Sequence, residues 1–304
     1  VTGAGASTVA WTPETSYLGG VSGTPTYRVP GTNVRNQTAE LDRNLAAVLL
    51  PGDIETNDWV AQNIGGQLNL QWVLTDDEFH RFLFNDGAPS WTSGSSAASA
   101  EWYLGVDHLS GTVERQIKGW VPVTCTVDYN GSTELTTVSV TGVYGAEETN
   151  TSITPGTLVD NSGDEVPGHG AELDINSTRV GKLQSASISL ENLARLQFDS
   201  NDPKPTDAVV GNVQQSIDLS AIFEGADHLE YALGSAGATT IEDFVDQVSA
   251  ITTFSHDATT VADYSFARAK PSTYDWQDLV NNEADLEEAV TLNAAGITPS
   301  DPTA

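Results

Sequence analysis

The sequence predicts a mainly β fold, and three stretches carry that prediction. Leu68, Leu70, Trp72 and Leu74 alternate with Asn69, Gln71 and Val73, so one face of an extended segment is apolar and the other is largely amide. Lys182 to Leu190 repeats the pattern, with Ala186, Ile188 and Leu190 on one side and Ser185, Ser187 and Ser189 on the other. Between them, residues 112–129 form a long β-type run into Asn130-Gly131, and Thr133 to Val143 returns. This predicts a hairpin with a tight turn.

In chain order, residues 1–35 are rich in Gly, Thr, Ser and Pro without a regular apolar repeat. They predict an extended N-terminal arm, bounded at 1–37 and anchored by Trp11, Tyr17 and Tyr27. A domain follows over 38–270. Leu41, Leu45, Val48 and Leu49 have helical spacing that Pro51-Gly52 stops, which predicts a short helix. After the strand at 68–74, Asp76-Asp77-Glu78 leads into Phe79, Phe82 and Leu83, a second short helix with acids at its positive end. Residues 87–100 read as a surface loop, and Trp102 to Val106 as the next strand. Residues 145–171 lose periodicity and read as a long surface loop or insertion. Further segments lie at 218–223 and 229–233. Ile241, Phe244, Val245, Val248 and Ile251 predict an amphipathic helix. The end of the chain, 271–304, reads as a helical extension with its helix near 276–290. Residues 67–84 and 182–198 share a strand, an acidic-start segment, an Arg and a final Phe, which would fit an internal duplication.

Composition restricts function before any motif does. The 304 residues carry 42 acidic and 12 basic side chains, a formal net charge of -30, with acids spread from Glu14 to Asp301. An evenly acidic, lysine-poor surface suits molar salt, where the Debye length falls to about 3 Å and self-repulsion fades. No stretch of about 18 apolar residues is present, so no membrane partner is expected. The single cysteine, Cys125, lies in an alternating strand. It predicts a buried thiol and excludes an intramolecular disulfide framework.

A search for chemistry finds little. There is no phosphate-binding G-x-x-x-x-G-K-[ST], and no serine sits in G-x-S-x-G. His80, His108, His169, His228 and His256 are scattered singly, without the spacing that brings two imidazoles to one metal. Asp199-Ser-Asn-Asp202 and Asp160 to Glu165 supply oxygens but lack the calcium-loop glycine and glutamate positions. No cofactor, metal or catalytic residue is expected. Paired carboxylates distant in sequence stay open. The sequons at Asn36, Asn130, Asn150 and Asn176 would be meaningful on a secreted surface protein, and the predicted hairpin turn accounts for Asn130.

Three stretches together resemble the tail tube proteins of long-tailed viruses. Trp102 to Asp107, then Gly111-Thr-Val-Glu-Arg-Gln-Ile-Lys-Gly119 and the hairpin 120–143, is similar to that family's short loop, R-x-x-x-G and long strand. Gly181 to Asn192 resembles its strand leading into a Glu-Asn turn, and Gly66 to Leu74 adds a third likeness. The resemblance implies a β-sandwich or half-barrel with a flanking helix, six-fold rings stacked into a tube, and no enzymatic activity. It also implies other tail proteins at the tube ends and double-stranded DNA passing through without specific binding. With the acidity, it points to a virus of a halophilic archaeon, with the protein located in the virion after synthesis in the host cytoplasm. Strands with a Ser, Gln and Asn face suit a wall with water in front and a core behind, so Asn69, Gln71, Gln184, Ser185, Ser187 and Ser189 are candidate lumen residues. Other readings stay open: a different β-rich virion or cell-surface interaction protein, or a carboxylate-dependent hydrolase.

Overall fold

The computed structural model describes residues 7–300 apart from 22, 24, 49–54, 57, 84–93, 109–110, 132–133, 150–156, 162, 278 and 281–284. The first strands are β1 (Ser7–Pro13), β2 (Thr26–Arg28), β3 (Thr32–Asp42), β4 (Leu45–Val48), β5 (Asp58–Ala61) and β6 (Gly65–Val73). Helix α1 (Glu78–Leu83) precedes β7 (Ala100–His108), β8 (Gly111–Asn130), β9 (Thr137–Tyr144), β10 (Ala146–Thr149) and β11 (Thr157–Val159). Then come β12 (Ala171–Ile175), β13 (Thr178–Arg179), β14 (Leu183–Glu191), β15 (Ala194–Phe198), β16 (Pro205–Val210) and β17 (Gln214–Ile222). Helix α2 (Asp227–Leu233), β18 (Val248–His256), β19 (Thr259–Gln277) and β20 (Glu287–Ser300) complete the order.

Strand β8 joins two layers. Its first half pairs with β7 and β10, with Leu104 opposite Arg115 and Ala146 opposite Lys118. Its second half pairs with β9 and β14, with Val127 opposite both Val138 and Ile188. At the joint Gly119 takes φ +62°, and a Cβ there would lie 2.7 Å from Leu18. Only glycine meets both demands. One layer runs β11-β2-β1-β7-β8. The other runs from β3 through β6 and β9 to β8, then β14-β17-β20-β19-β18-β12-β13.

The core lies between the layers and around α1. Phe79 of α1 contacts Trp11 of β1 at 5.3 Å between ring centroids and Trp72 of β6 at 4.9 Å, while Trp102 meets Trp120 at 5.4 Å. Edge-on aromatic pairs of this kind add to the burial gain. His80, on the same helix, is hydrogen-bonded to the Tyr264 hydroxyl of β19. Strands β6 and β19 are separated in the sheet by β9, β8, β14, β17 and β20, yet both touch α1, so this layer curls around the helix.

The mainly β class, the strands at 68–74, 102–106 and 183–190, the long β8 and the helix at 78–83 follow the sequence expectation. Cys125 is buried at 1% exposure as a free thiol, and burial pushes its pKa up to about 12. Other expectations are corrected. The β8–β9 hairpin exists, but its last pair is Asp128 with Thr137, so residues 129–136 connect it rather than a two-residue turn at Asn130-Gly131. The predicted helix at 38–49 is extended over its described part. Leu41 and Leu45 are exposed, so their helical spacing never faced a core. The predicted helix at 241–251 is irregular up to Gln247 and then a strand, in which Val248, Ala250, Thr252 and Phe254 alternate inward. The helical extension over 271–304 contains, over its described part, the end of β19 and the whole of β20 instead of a helix, with Glu288, Val290 and Leu292 inward at period two, while 278, 281–284 and 301–304 lie outside the described residues.

The N-terminal arm is also revised over the described residues. Strand β1 pairs along its length with β7, and Ala10, Trp11 and Thr12 are all buried. A strand buried on both faces shows no alternation, which is why this segment read as irregular. The 145–171 segment holds β10 and β11, the latter parallel to β2, while residues 150–156 lie outside the described residues. So do residues 87–93 of the predicted 87–100 loop. The internal echo fails after its strand, because residues 194–198 are β15, paired with β16, where the first copy has α1.

Candidate functional site

The curled layer has one apolar and one polar face, and the strand period produces both. In β9, Val138 and Val140 are buried while Thr137, Ser139 and Thr141 point to the other side. Register then aligns polar residues across the strands. Gln71 lies opposite Ser139, Ser139 opposite Thr126, Thr126 opposite Ser189, Ser189 opposite Ser216, and Ser216 opposite Asn293. A second row runs Thr137, Asp128, Ser187, Asp218 and Thr291.

Several side chains within the face hydrogen-bond one another, while the buried Asn69 Oδ1 has no partner. Gln71 Nε2 donates to Ser139 Oγ at 3.2 Å, and the Thr124 and Thr141 hydroxyls are 2.6 Å apart. Ser187 Oγ donates to Asp128 Oδ1 at 2.7 Å, and Thr291 Oγ1 to Asp218 Oδ1 at 2.5 Å. Asp128, Asn130, Thr137, Ser187 and Ser220 line a shallow groove on the same surface. The register positions of this face hold no Lys or Arg on β6, β9, β14, β17, β20 or the second half of β8. Among the described residues, cations occupy this face on the edge strands, as Arg35 of β3 and Arg179 of β13, and on β19, between β20 and β18, as Arg268 and Lys270.

Of the sequence candidates, Asn69, Gln71, Ser185, Ser187 and Ser189 share this face and are half-buried. Gln184 sits at an irregularity where β14 advances one residue against β17, and its amide donates to Lys182 O at 3.1 Å. An extra residue in a strand breaks the alternation locally, so Gln184 departs from the register of its neighbours. Sequence reasoning missed Thr124, Thr126, Asp128, Ser216, Asp218, Ser220 and Thr291. The signal was present for the first three, since the odd apolar positions of 121–129 imply that the even ones face the other way.

Features that could suggest catalysis have structural partners. His228 Nδ1 lies 2.7 Å from Glu288 Oε1, and the Tyr274 hydroxyl donates to Glu288 Oε2 at 2.9 Å, fastening α2 to the end of the sheet. His256 Nδ1 is 2.8 Å from the Glu165 carbonyl. Asp199 and Asp202 accept backbone N–H groups of Ser200 and Lys204, which shapes a turn. Asn161 donates to Asp76 at 2.5 Å, and Asp76 accepts the Glu78 N–H at the start of α1. Among the described residues no cluster of three His, Cys, Asp or Glu could hold a metal ion, and no helix is long and apolar enough to cross a membrane.

Two exposed apolar features lie at opposite ends of these strands. Strands β4 and β5 pair with each other between the end of β3 and the start of β6, displaying Leu45, Trp59 and Val60 at 50–59% exposure. At the other end, Trp276, opposite Glu288 in the ladder, packs edge-on to Phe223 at 5.7 Å, and exposed Leu279 and Val280 follow the last pair, Gln277 with Glu287.

No protein family matches the chain by sequence, and no curated protein does. Among solved structures, the chain is similar to Hcp1 from Flavobacterium johnsoniae, with 16% identity over 43% of this chain and 94% of that one, at a TM-score of 0.29. It is also similar to a chain of the anti-feeding prophage baseplate, solved by six-fold symmetrised cryo-electron microscopy, with 11% identity over 44% of this chain and 93% of that one, at a TM-score of 0.33.

Proposed function

We propose that this chain is a structural, non-catalytic subunit of a viral tail tube. Copies join side by side into six-fold rings, the rings stack, and the polar face of the curled layer lines a lumen through which the genome passes. The observation that carries this reading is the one-sided face of hydroxyls, amides and carboxylates, whose central strands carry no cation. Affinity for nucleic acid comes mainly from Lys and Arg neutralising phosphates, so a wall of this composition lets double-stranded DNA slide without holding it. Two strand edges, β3 and β12–β13, remain for neighbours in the ring. The apolar features at opposite strand ends suit stacking, because unlike ends that bind each other repeat without closing. Asn69, Gln71, Gln184, Ser185, Ser187 and Ser189 are assigned to the lumen in this reading, and other tail proteins to the tube ends. The virus is one of a halophilic archaeon and the protein belongs to the virion.

Electron microscopy of the purified protein in molar salt tests the proposal. Hollow stacked rings are expected, with these six side chains bordering the channel. Persistent monomers, or tubes in which the six face outward, overturn it.

A further inference from the structure

We infer that Asn130-Gly131 is a site of self-modification, at which water converts the asparagine side chain into a carboxylate on the polar face. The site stands whether or not copies form a tube.

This is the only Asn-Gly pair in the 304 residues. Asn130 ends β8 and is paired on one side, with Ser185 of β14, because the β9 ladder stops at Asp128 with Thr137. Its side chain is exposed, and Nδ2 donates to Glu134 Oε2 at 3.2 Å. Gly131 follows at φ +65°, and among the described residues nothing accepts its N–H. A backbone nitrogen with no Cβ beside it and no hydrogen bond to give up can reach the preceding side-chain carbonyl carbon. Other asparagines lack this combination. Asn44, Asn161 and Asn176 precede Leu45, Ser162 and Ser177, whose Cβ atoms crowd such an approach. Their Nδ2 groups donate to Asn63 O at 2.8 Å, Asp76 Oδ2 at 2.5 Å and the Tyr231 hydroxyl at 3.1 Å.

The Gly131 nitrogen attacks Asn130 Cγ. A new C–N bond closes a five-membered succinimide, the Cγ–Nδ2 bond breaks, and Nδ2 leaves as ammonia with the proton that Gly131 gives up. Water then opens the ring. Cleavage at Cγ gives aspartate in an ordinary backbone, and cleavage at the main-chain carbonyl gives isoaspartate, whose backbone runs through Cβ and Cγ. The sum is one water consumed and one ammonia released, with no oxidation. Either product adds a negative charge to a groove that already holds Asp128, Glu134 and Asp218. Asp128 stands two residues back on the same face, about 7 Å along the strand. The polar face thus becomes more acidic after synthesis, in the direction that repels phosphate.

The test incubates the full-length protein, folded in molar salt, in water enriched in heavy oxygen and follows the asparagines by peptide mass spectrometry. Methylation by an isoaspartate methyltransferase reads the isoaspartyl product. Circular dichroism checks that the fold is kept, and the same chain in denaturant gives the rate of the unpaired segment. Conversion is expected at residue 130 in the folded chain, with one heavy oxygen taken up per event. It should lead Asn44, Asn161 and Asn176 by about tenfold, a barrier difference of about 1.4 kcal/mol. Gly131→Ala is expected to slow it by about tenfold. Asn130→Gln, which leaves the glycine in place but requires a larger ring, is expected to abolish it. Conversion in denaturant but not in the folded chain, conversion spread evenly over the four asparagines, or an unchanged rate in either variant overturns the assignment. So does its absence in both states.

Discussion

His80 and Asp76 stand one helical turn apart at the start of α1 and respond to acid in opposite directions. His80 is 1% exposed, and burial pushes its pKa down to about 4 from 6.5. The unfolded chain therefore holds more protons at this site between those values, and stability falls by up to about 3 kcal/mol as pH drops through them. Asp76 is raised to about 6, chiefly by burial and with its neighbours Glu78 and Asp77 adding repulsion. Here the folded chain holds the extra proton below pH 6, so stability rises as pH falls. The two contributions offset each other in the wild type. Asp76→Asn keeps an acceptor for the Glu78 N–H but removes the compensating titration. Its thermal midpoint is expected to drop more steeply than the wild type's between pH 6.5 and 4, and an unchanged slope would refute the offset. The sequence marked His80 only as a singly placed histidine without metal-ligand spacing. Nothing local to it announces Tyr264, which lies far along the chain.

At the scale of elements, side chains crossing between strands hold the curled layer together. Arg115 of β8 makes a two-pronged ion pair with Glu147 of β10, at 2.5 and 2.9 Å, and donates to Ala39 O of the edge strand β3 at 3.0 Å. The Tyr144 hydroxyl of β9 lies 2.8 Å from both Glu147 and the Glu40 carbonyl. Removing the guanidinium with Arg115→Ala is expected to cost about 2 kcal/mol in denaturant unfolding, because a mostly buried carboxylate loses its charged partner. Burial would raise the Glu147 pKa, but the hydrogen bonds and charge of Arg115, with Tyr144, outweigh it and hold the carboxylate below its usual range. This contribution is complete above the unfolded value and disappears as pH falls through the folded one. In the Arg115→Ala protein, that acid-range loss should be smaller than in the wild type.

Glycine has its own part in the same layer. Trp120 lies so close over Gly142 that an added Cβ would come within 2.1 Å of its ring. Gly142→Ala is expected to destabilise by about 1–3 kcal/mol through overpacking, again read by denaturant unfolding. Strands with one wet face were legible in the sequence because alternation is a strictly local signal, as at 68–74 and 183–190. Strand β1, buried on both faces, gave no alternation. Exposed Leu41, Leu45, Ile241 and Phe244 fell at helical spacing without any core to face, so apolar periodicity misled wherever the apolar residues point to solvent.

For the whole molecule, the polar face is a product of register rather than of any one segment. Ser187 becomes part of a row only because β8 and β17 place Asp128 and Asp218 on either side of it. The sequence showed that Ser185, Ser187 and Ser189 share a side, but pairing over long separations decided which strands extend that side and where the cations fall. The same long-range pairing governs when a copy is complete. Strand β17 lies between β14 and β20, and β20 also holds β19, the first strand of the remaining β19-β18-β12 wall. Residues 287–300 are therefore the closing piece of a layer whose other strands have all been synthesised earlier. A nascent or truncated chain without them leaves a gap one strand wide, with bare backbone on both sides and Leu219 and Phe266 uncovered. Such pairing between distant segments is slow to form. Without β20 the wall is therefore not continuous from β17 to β19, and the polar face it carries is broken between Ser216 and Lys270.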